Sequence, residues 1–531
     1  MVEELDVVVV GAGLGGMYAL HRFRGDGLRV VVFETGDDVG GTWYWNRYPG
    51  ARCDVESVEY SYGFSEELEQ EWEWTERYAG QPEILCYLQH VASRFDLYRD
   101  IRFETRVTEA VFDEAGARWR VRTDRGDDVS AQFLVMATGC LSSANLPNID
   151  GIGDFRGLVL HTGRWPREEV DLSATRVGVV GTGSSAIQAI PVIAEVAADL
   201  TVFQRTASYT VPAWNRALTP EEVAEIKADY QGLRARNRAM PGALGSRWSF
   251  NDQSALEVTD EEREAEFEKR WAIGGFAFVG AFKDTSTDPK ANFYAAEFVR
   301  RKIREIVHDP ATAELLSPRH TISCKRICLD TNYYETFNRP NVHLVDISST
   351  GIERVTATGI VAGATAYELD VIVFATGFDA MTGSLTRIDA KGRQGQSLKD
   401  AWAAGPVNYL GLSVPGFPNL FTLTGPGSPS VLANMFVANE QHVDWVADCM
   451  RYLRTKGFRT IEATEGAAED WVAHVNEVAG RTLYPSCNSW YLGANIPGKT
   501  RVFMPLPGFP AYVERCDDVA ARGYEGFVLA S

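Results

Sequence analysis

Long apolar runs are missing from this 531-residue sequence, and no stretch reaches the roughly 20 apolar residues that a membrane-spanning helix needs. The apolar residues 7–10 follow three acidic residues and lead directly into a glycine-rich motif. This pattern indicates a buried strand and excludes a signal peptide, whose apolar core is longer and follows positive charge. We therefore expect a cytoplasmic protein without membrane contacts.

Positive charge is also in short supply. The 52 Lys and Arg residues are outnumbered by 72 Asp and Glu residues, which gives a net charge of −20 at pH 7. Because nucleic-acid binding requires a basic surface, no nucleic-acid partner is expected. Any positive charge that an anionic cofactor needs must be local.

The eight cysteines include no C-x-x-C pair. This spacing excludes the redox-active dithiol of disulfide reductases and the common zinc motifs. It favours scattered, reduced thiols over a disulfide framework. No cluster of Asp, Glu and His residues indicates a metal site, so no metal is expected.

A complete dinucleotide-binding unit opens the chain. Residues 5–10 form a strand of mostly branched apolar side chains, and Gly11, Gly13 and Gly16 follow at the G-x-G-x-x-G spacing. A helical stretch then leads to a second strand that ends at Glu34. The glycines allow a tight turn and close approach of a pyrophosphate, and an acid in the position of Glu34 can accept ribose hydroxyls. Because that carboxylate would repel a 2′-phosphate, the unit is expected to bind FAD or NAD.

Residues 41–54 are unusually aromatic for a loop, with Trp43, Trp45 and Tyr48 close together. Packing in an irregular segment would explain the composition. Position favours a second interpretation, because a loop that directly follows the nucleotide unit can fold over the cofactor. Asp54 at the end of this run is a carboxylate among aromatic residues and needs a cationic partner.

A second nucleotide turn lies at residues 181–186, after a strand at 176–180. The next strand, residues 200–204, ends not in an acid but in Arg205 and Thr206. An arginine at this position can pair with a 2′-phosphate, although a solvated surface arginine is the alternative. The contrast with Glu34 predicts one site for FAD and one for NADP(H).

Ala-Thr-Gly turns at 137–139 and 375–377 each follow an apolar strand and resemble the turns that close the nucleotide domains of two-dinucleotide flavoproteins. Residues 215–316 are charge-rich and helical in pattern. We expect an α/β fold with two dinucleotide-binding, Rossmann-like domains and a helical insertion. The expected divisions are an FAD-binding domain in two parts, 1–140 and 381–531; an NADP-binding domain in two parts, 141–214 and 321–380; and the helical insertion, 215–320.

The connector between the two nucleotide turns carries the pattern F-x-G-x-x-x-H-x-x-x-W-P, through Phe155, Gly157, His161, Trp165 and Pro166. This pattern resembles the fingerprint of the Baeyer–Villiger monooxygenases, flavoenzymes that insert one oxygen atom beside a ketone carbonyl. Such a resemblance implies that His161 couples the domains and is not an acid–base group. A satisfied core histidine is the alternative.

The resemblance covers nearly the full length of the chain. Residues 41–54 resemble the second signature of the family, and Lys325-Arg326 ahead of residues 331–334 (Thr-Asn-Tyr-Tyr) matches a Lys-Arg pair of the family. It implies that Arg326 stabilises a C4a-peroxyflavin, that Asp54 orients Arg326, and that Lys325 joins Arg205 and Thr206 at the 2′-phosphate. Trp490 resembles a residue that hydrogen-bonds the nicotinamide ribose. The expected cofactor-binding set is Gly11, Gly13, Gly16, Glu34, Gly41, Thr42, Trp43, Asp54, Tyr60, Gly181, Gly183, Ser184, Ser185, Arg205, Thr206, Lys325, Arg326 and Trp490.

Two dinucleotide sites without a C-x-x-C pair mean a flavin that a nicotinamide reduces and that passes its electrons to something other than a disulfide. A permanently charged arginine suits a negatively charged oxygen adduct, because it does not give up a proton. By the resemblance, NADPH and O₂ convert a ketone into an ester or lactone, with Arg326 and Asp54 as the catalytic residues. The protein is expected to act as a monomer.

Residues 425–435 resemble a longer, bulged form of a loop beside the family's substrate pocket, which is found in members that take aryl, bulky or steroid-like ketones. We expect Ser430, Val431, Leu432 and Met435 to line this pocket. An N- or S-oxygenating flavin monooxygenase is the alternative activity, but its connector would not end in Trp-Pro. A nucleotide-binding sensor without turnover is the alternative class, and the pair Asp54 and Arg326 argues against it.

Overall fold

The computed structural model describes residues 2–531. Its strands are β1 Glu3–Val10, β2 Val30–Phe33, β3 Ile101–Arg102, β4 Val107–Asp113, β5 Arg118–Thr123, β6 Asp128–Met136, β7 Leu158–His161, β8 Arg176–Val180, β9 Asp199–Gln204, β10 Thr210–Pro212, β11 Cys328–Asp330, β12 Val342–Asp346, β13 Arg354–Thr356, β14 Gly359–Ala362, β15 Thr365–Glu368, β16 Val371–Phe374, β17 Asp389–Lys391, β18 Leu420–Thr422, β19 Thr460–Ala463 and β20 Phe527–Ala530.

The α-helices alternate with these strands in the two nucleotide units and fill the segment between β10 and β11. They are α1 Leu14–Gly25, α2 Thr42–Trp45, α3 Glu66–Glu71, α4 Gln81–Arg94, α5 Ser184–Val196, α6 Pro220–Ala228, α7 Tyr230–Ala239, α8 Asp260–Ile273, α9 Pro289–Ile306, α10 Pro310–Leu316, α11 Tyr333–Thr336, α12 Leu398–Ala401, α13 Met435–Lys456, α14 Glu465–Gly480 and α15 Phe509–Ala521.

The first sheet carries the opening dinucleotide unit. Strand β1 lies between β2 and β6 in parallel register, with Val7 opposite both Val30 and Phe133. Strands β3 and β18 extend this parallel part beyond β2 and β6. The inner strands are apolar on both faces, as a parallel sheet covered by helices requires.

An antiparallel meander of β4, β5 and β6 continues the first sheet. The sequence predicts a meander over residues 101–123, and this prediction is confirmed for 107–123. Residues 101–102 instead pair in parallel with β2. They cover an edge of β2 whose backbone groups would otherwise lack partners.

The second sheet is entirely parallel, in the order β12-β9-β8-β16-β7. Its centre, β8, leads into α5, which repeats the strand–turn–helix arrangement of β1 and α1. The edge strand β7 belongs to the fingerprint connector. The α/β fold class with two Rossmann-like units is therefore confirmed.

Between β10 and β11 the chain is helical, with α6 to α10 in sequence. The sequence predicts one helix over residues 220–234, but the structure breaks it at Asp229, whose carboxylate accepts from the Gly232 N–H and caps α7. Short acidic side chains favour such helix starts because they satisfy backbone N–H groups that have no helical partner. Thr219 and Thr259 begin α6 and α8 with complete capping boxes.

The helices of residues 64–100 are more than surface elements. One face of α4 is fully buried in the main core through Ile84, Tyr87, Leu88 and Val91. The same core holds apolar side chains of α1 and α13. The helices of residues 64–100 thus contribute to the hydrophobic core on which the first nucleotide unit packs.

One prediction from the cysteine spacing is wrong. The structure joins Cys324 to Cys487 in a disulfide across 163 residues of sequence, while the other six cysteines are free. Spacing along the chain could not reveal this pair, because the two sulfurs meet only through the tertiary fold. Among residues 2–531, no helix combines the length and apolarity that crossing a membrane demands.

Candidate active site

Two glycine turns of the same construction lie at the carboxyl ends of β1 and β8. Gly11 and Gly181 have φ angles of 102° and 112°, and a Cβ on either would lie 2.6 Å from a carbonyl oxygen, that of Ala137 or Ala375. Only glycine satisfies both conditions without strain. Each Ala-Thr-Gly turn therefore packs its alanine carbonyl directly against the first glycine of a nucleotide turn.

The first turn has the features of a dinucleotide site. The Glu34 carboxylate accepts from the backbone N–H groups of Ala12 and Gly36, both at 2.7 Å, and burial raises its pKa. A Cβ on Gly16 would lie 1.8 Å from the Gly11 carbonyl oxygen, so this glycine lets α1 pack against the turn. Gly13 is exposed enough to face a ligand at the start of α1.

The aromatic loop lies against this turn. The backbones of Gly41 and Gly13 meet so closely that a Cβ on Gly41 would lie 2.8 Å from the Gly13 Cα. Thr42 begins the short helix α2 and is exposed, whereas Trp43 is buried and donates from Nε1 to Tyr60 Oη at 3.2 Å. The loop therefore packs directly against the first glycine turn, and its contact with a cofactor stays a prediction.

Asp54 and Arg326 form a two-pronged ion pair although 272 residues separate them. Nε donates to Oδ2 at 2.6 Å and Nη2 to Oδ1 at 2.8 Å. Burial opposes the charge of Arg326, but Asp54 outweighs it and raises the pKa of the guanidinium. Arg326 therefore remains a cation at any working pH, and its carboxylate partner fixes the plane of the guanidinium.

Two further groups hold Arg326 that the sequence did not indicate. Its Nη1 donates to the Val431 carbonyl oxygen at 2.7 Å, and the Phe276 ring lies 5.1 Å from its guanidinium carbon. Phe276 lies between α8 and α9, in the segment that the sequence predicts to be a helical insertion.

The second turn presents positive charge without an acid. Arg205 and Thr206 are exposed just after β9, and burial together with the nearby Arg205 lowers the pKa of Lys325. Neither Arg205 nor Lys325 has a carboxylate partner within residues 2–531. Gly183 faces open space, and Ser184 and Ser185 begin α5 there. This arrangement fits a dinucleotide with an additional phosphate.

The fingerprint residues shape the connector. A Cβ on Gly157 would lie 2.2 Å from the Asp370 carbonyl oxygen and 2.7 Å from the Phe155 ring, which explains the glycine. His161 ends β7 beside Phe374, its Nδ1 accepts from the Gly163 N–H at 2.9 Å, and burial lowers its pKa. Burial therefore favours the neutral ring, and its Nδ1 is occupied by a hydrogen bond within the connector. Trp165 packs in the core of the second unit, and Pro166 follows it out of regular structure.

The loop at residues 425–435 lies over Arg326, but its residues differ in what they present. Ser430 is fully buried with a φ of 45°, and its hydroxyl donates to the Thr424 carbonyl oxygen at 3.0 Å. It therefore adds no surface to a pocket, contrary to expectation, because a buried hydroxyl must find a partner inside the loop. Val431 contributes its carbonyl, and Leu432 and Met435 are half-buried.

Trp490 lies on a short 3₁₀ turn, half-buried, with its ring centre 4.4 Å from that of Tyr491. Tyr491 is buried, and the Arg326 guanidinium opposes the rise in its pKa that burial causes. The C-terminal part of the chain thus approaches the ion pair. Together, the fold and the site define an oxidoreductase with two dinucleotide sites and an arginine–carboxylate pair between them.

Comparison with known proteins agrees with this class. The family model of pyridine nucleotide-disulphide oxidoreductases matches residues 8–238. A Baeyer-Villiger monooxygenase of Pseudooceanicola batsensis is 42% identical over 530 residues, which cover 99% of this chain and 96% of that protein. A phenazine N-monooxygenase of Lysobacter antibioticus is 41% identical over 533 residues, which cover 99% of this chain and 97% of that protein. The solved structure of an oxidized steroid monooxygenase bound to NADP matches with a TM-score of 0.94 and 57% identity over 99% of both chains.

The chain belongs to the Baeyer–Villiger monooxygenases. It is an NADPH-dependent FAD monooxygenase, and FAD and NADP(H) are its cofactors. Both groups fit the residues described above: one turn offers an acid for ribose hydroxyls, and the other offers cations for a phosphate.

Proposed function

We propose that this protein uses NADPH and O₂ to convert bulky, aryl or cyclic ketones into esters or lactones. The observation that carries the proposal is the ion pair between Asp54 and Arg326, which lies between the two nucleotide turns. A cation without a dissociable proton stabilises negative charge on oxygen and leaves a nucleophilic oxygen unprotonated. Carbonyl attack needs such a nucleophile.

Each part of the chain has a role in this proposal. Bound FAD supplies the oxygen chemistry once NADPH has reduced it. Arg326 is the catalytic residue that stabilises negative charge at the reacting oxygen, and Asp54 holds its guanidinium in one plane. The Val431 carbonyl and the Phe276 ring support the same orientation. The packed aromatic loop would help to exclude water from the site, which disfavours the unproductive release of hydrogen peroxide.

We assign the first glycine turn, with Glu34, Gly41, Thr42, Trp43 and Tyr60, to FAD. The second turn, with Arg205, Thr206 and Lys325, is assigned to NADP(H), and Trp490 to the nicotinamide side. Supporting this division, Glu34 would repel a 2′-phosphate, whereas Arg205 and Lys325 have no acidic neighbour to neutralise them. His161 is proposed to transmit movement between the two units from the end of β7.

The pocket is proposed to be lined by Leu432 and Met435, with the Val431 main chain beside them. Their partial exposure next to the Arg326 hydrogen bond supports this assignment. The similarity to a steroid monooxygenase favours bulky ketones. Ser430 has only a supporting role, because its side chain is buried in the loop.

We also propose that the chain divides as the sequence predicts, with residues 1–140 and 381–531 around FAD, 141–214 and 321–380 around NADP(H), and 215–320 as a helical insertion. The two separate sheets and the helical run between β10 and β11 support this division. A monomer in the cytoplasm, where NADPH is supplied, is the proposed state and location.

Incubation with NADPH, O₂ and either a steroid-like ketone or cyclohexanone tests the proposal by product analysis. Ester or lactone formed in step with NADPH consumption, with preference for the bulky ketone, is expected. Preference for cyclohexanone would refute the bulky-substrate assignment. NADPH consumption that yields hydrogen peroxide alone with every ketone, unchanged in Arg326→Ala, would refute the function.

N-oxygenation is the second candidate, because a phenazine N-monooxygenase is similar over nearly the whole chain. An aromatic N-heterocycle in the same assay distinguishes the two. N-oxide formation without ester formation would establish this alternative instead.

A further inference from the structure

We propose that Cys324 and Cys487 form a thiol–disulfide exchange site, at which a dithiol reductant releases part of the C-terminal chain from the NADP(H) side of the active site. The part concerned is the tail segment, defined as residues 481–508 between α14 and α15. The inference rests on the proposed placement of NADP(H) and of Arg326.

The position of the disulfide is the first observation. Cys324 is fully buried and immediately precedes Lys325 and Arg326, the residues assigned to the 2′-phosphate and to oxygen chemistry. Cys487 is half-buried, three residues before Trp490. The bond therefore ties the residues around Trp490 directly to the strand entry that presents Arg326, with 6.0 Å between the two Cα atoms.

The weak attachment of the same stretch is the second observation. All hydrogen bonds of residues 484–490 in the described structure end within the tail segment itself. Ser489 Oγ and Asn495 Oδ1 are buried without a hydrogen-bond partner among the described residues, which is unfavourable. Polar contacts to the rest of the molecule flank the stretch, such as the Leu483 N–H to the Ser286 carbonyl and Lys499 to Asp379.

Covalent attachment thus replaces the hydrogen bonds that residues 484–490 lack. Without the disulfide, residues 484–490 would be held by apolar packing alone, because Tyr484 and Trp490 lie partly buried against the main core beside the fully buried Tyr491. A stretch without hydrogen bonds to the rest of the molecule opens at lower cost than one that such bonds hold. Its open form would withdraw Trp490 and Tyr491 from Arg326.

The chemistry of the site is balanced and accessible. The thiolate of a dithiol attacks Sγ of the half-buried Cys487, and the Cys324 sulfur leaves as a thiolate that takes up a proton. The second thiol of the reductant then releases Cys487 and forms its own disulfide, so two electrons pass to the protein. An NADPH-dependent enzyme works where thiol pools are reduced, and disulfides there are usually transient and redox-sensing.

Peptide mapping of the FAD-loaded enzyme, without any ketone, gives the first test. After treatment with oxidised glutathione, a peptide pair that joins Cys324 to Cys487 is expected, and dithiothreitol under native conditions should convert it into two alkylatable thiols. Absence of the linked pair after oxidation, or its persistence in native enzyme with dithiothreitol, would overturn the proposal.

Trypsin cleavage at Lys499 and the Kd for NADP⁺ give the functional readouts, neither of which depends on oxygenation. If reduction leaves about a tenth of the molecules closed, the Kd rises about tenfold. Cleavage at Lys499 should also accelerate on reduction, because its rate follows the open population, which is larger in the reduced than in the oxidised protein. Cys487→Ser should match the reduced enzyme with or without dithiothreitol, and the exposed free cysteine variant Cys86→Ser should respond as the unchanged protein does.

Equal Kd values and cleavage rates in the oxidised and reduced protein would refute the release of the tail segment even if the disulfide forms. Cys324→Ser provides the second variant and should behave as Cys487→Ser does. Failure of ester formation would leave these measurements unaffected, so the two proposals fail separately.

Discussion

Arg326 receives its orientation from groups that come from four distant parts of the chain. Asp54 accepts two hydrogen bonds, Val431 contributes a carbonyl oxygen and Phe276 a ring face. Cys487, the fourth, anchors the residues just before Arg326 through its disulfide with Cys324. A guanidinium held in this way loses little freedom when negative charge develops beside it. Preorganisation of this kind is the main source of electrostatic catalysis.

Replacing Arg326 by lysine tests the geometry, because lysine keeps the charge but cannot form the two-pronged pair. We expect ester formation to fall about 10²- to 10³-fold, as with loss of one oxyanion donor, while hydrogen peroxide takes a larger share of the NADPH consumed. Steady-state assays of both products measure the effect. Asp54→Asn should shift the same ratio in the same direction.

Arg22→Lys is the matched control, since Arg22 lies in the last turn of α1 and pairs with Asp444 of α13. Its product ratio should equal that of the unchanged protein. If Arg326→Lys also kept full coupling, the orientation of the guanidinium would have no part in the reaction.

Arg205 supplies the second prediction at the residue scale. Loss of one charge-assisted contact to a phosphate corresponds to an increase of about 10- to 100-fold in KM for NADPH. Arg205→Ala should show this increase and leave KM for NADH nearly unchanged, because NADH lacks the 2′-phosphate. Arg319→Ala, which removes an exposed arginine paired with Glu314, is the control. Equal increases for both nucleotides would place the phosphate elsewhere.

At the scale of elements, the two strand–turn–helix units repeat one construction with different chemistry at the end of the second strand. The turn between β8 and α5 requires glycine at position 181. Its φ angle is 112°, and the Ala375 carbonyl occupies the space that a side chain would need. The connector between the units follows the same logic. Gly157 leaves space for a carbonyl and the Phe155 ring, so the fingerprint glycine is explained by packing.

Gly181→Ala should therefore damage the second unit alone. Strain of about 1–3 kcal/mol from the positive φ adds to a steric clash, and we expect NADP⁺ no longer to raise the thermal midpoint of the protein, while FAD stays bound. Thermal unfolding with and without NADP⁺ measures this. Gly466→Ala, at an open position in α14, should behave normally. Unchanged stabilisation by NADP⁺ in Gly181→Ala would contradict the assignment of this turn.

At the scale of the whole molecule, a buried carboxyl group makes the free energy of unfolding depend on pH. Glu440 lies in α13, accepts from the Gly63 N–H at 2.7 Å, and its burial, only partly offset by Arg234, raises its pKa to about 7. The folded state thus keeps a proton that the unfolded state has lost. The stabilisation is complete below the unfolded pKa near 4.5 and disappears as the pH rises through about 7.

Glu440→Gln should remove this dependence, because a neutral amide can accept the same hydrogen bond at every pH. A shift of this size corresponds to about 3 kcal/mol, so the free energy of unfolding should fall less between pH 5 and pH 8 in the variant. Urea titrations at both pH values measure the difference. Glu469→Gln, at an exposed position, is the control. Parallel pH profiles in all three proteins would refute a buried proton at Glu440.

Much of this molecule could be predicted from local sequence. Glycine spacing, apolar strands, Glu34 and Arg205 indicate two nucleotide units, since such features depend on residues that are neighbours along the chain. Helix breaks were less accessible: Asp229 ends one helix and caps the next, where a continuous pattern suggested a single helix. Local preferences compete at such positions, and tertiary packing selects between them.

Contacts between distant residues were decided only by the tertiary structure. The aromatic surroundings of Asp54 predicted that it needs a cationic partner, and the family resemblance suggested Arg326. The sequence around Val431 and Phe276, however, contains no pattern that predicts their contacts with Arg326. The Ser430 side chain points into the loop, where its hydroxyl donates to the Thr424 carbonyl oxygen. Cys324 and Cys487 pair across 163 residues. Spacing along a chain records which residues are neighbours in sequence, whereas these pairings depend on how the sheets and helices bring separate segments together.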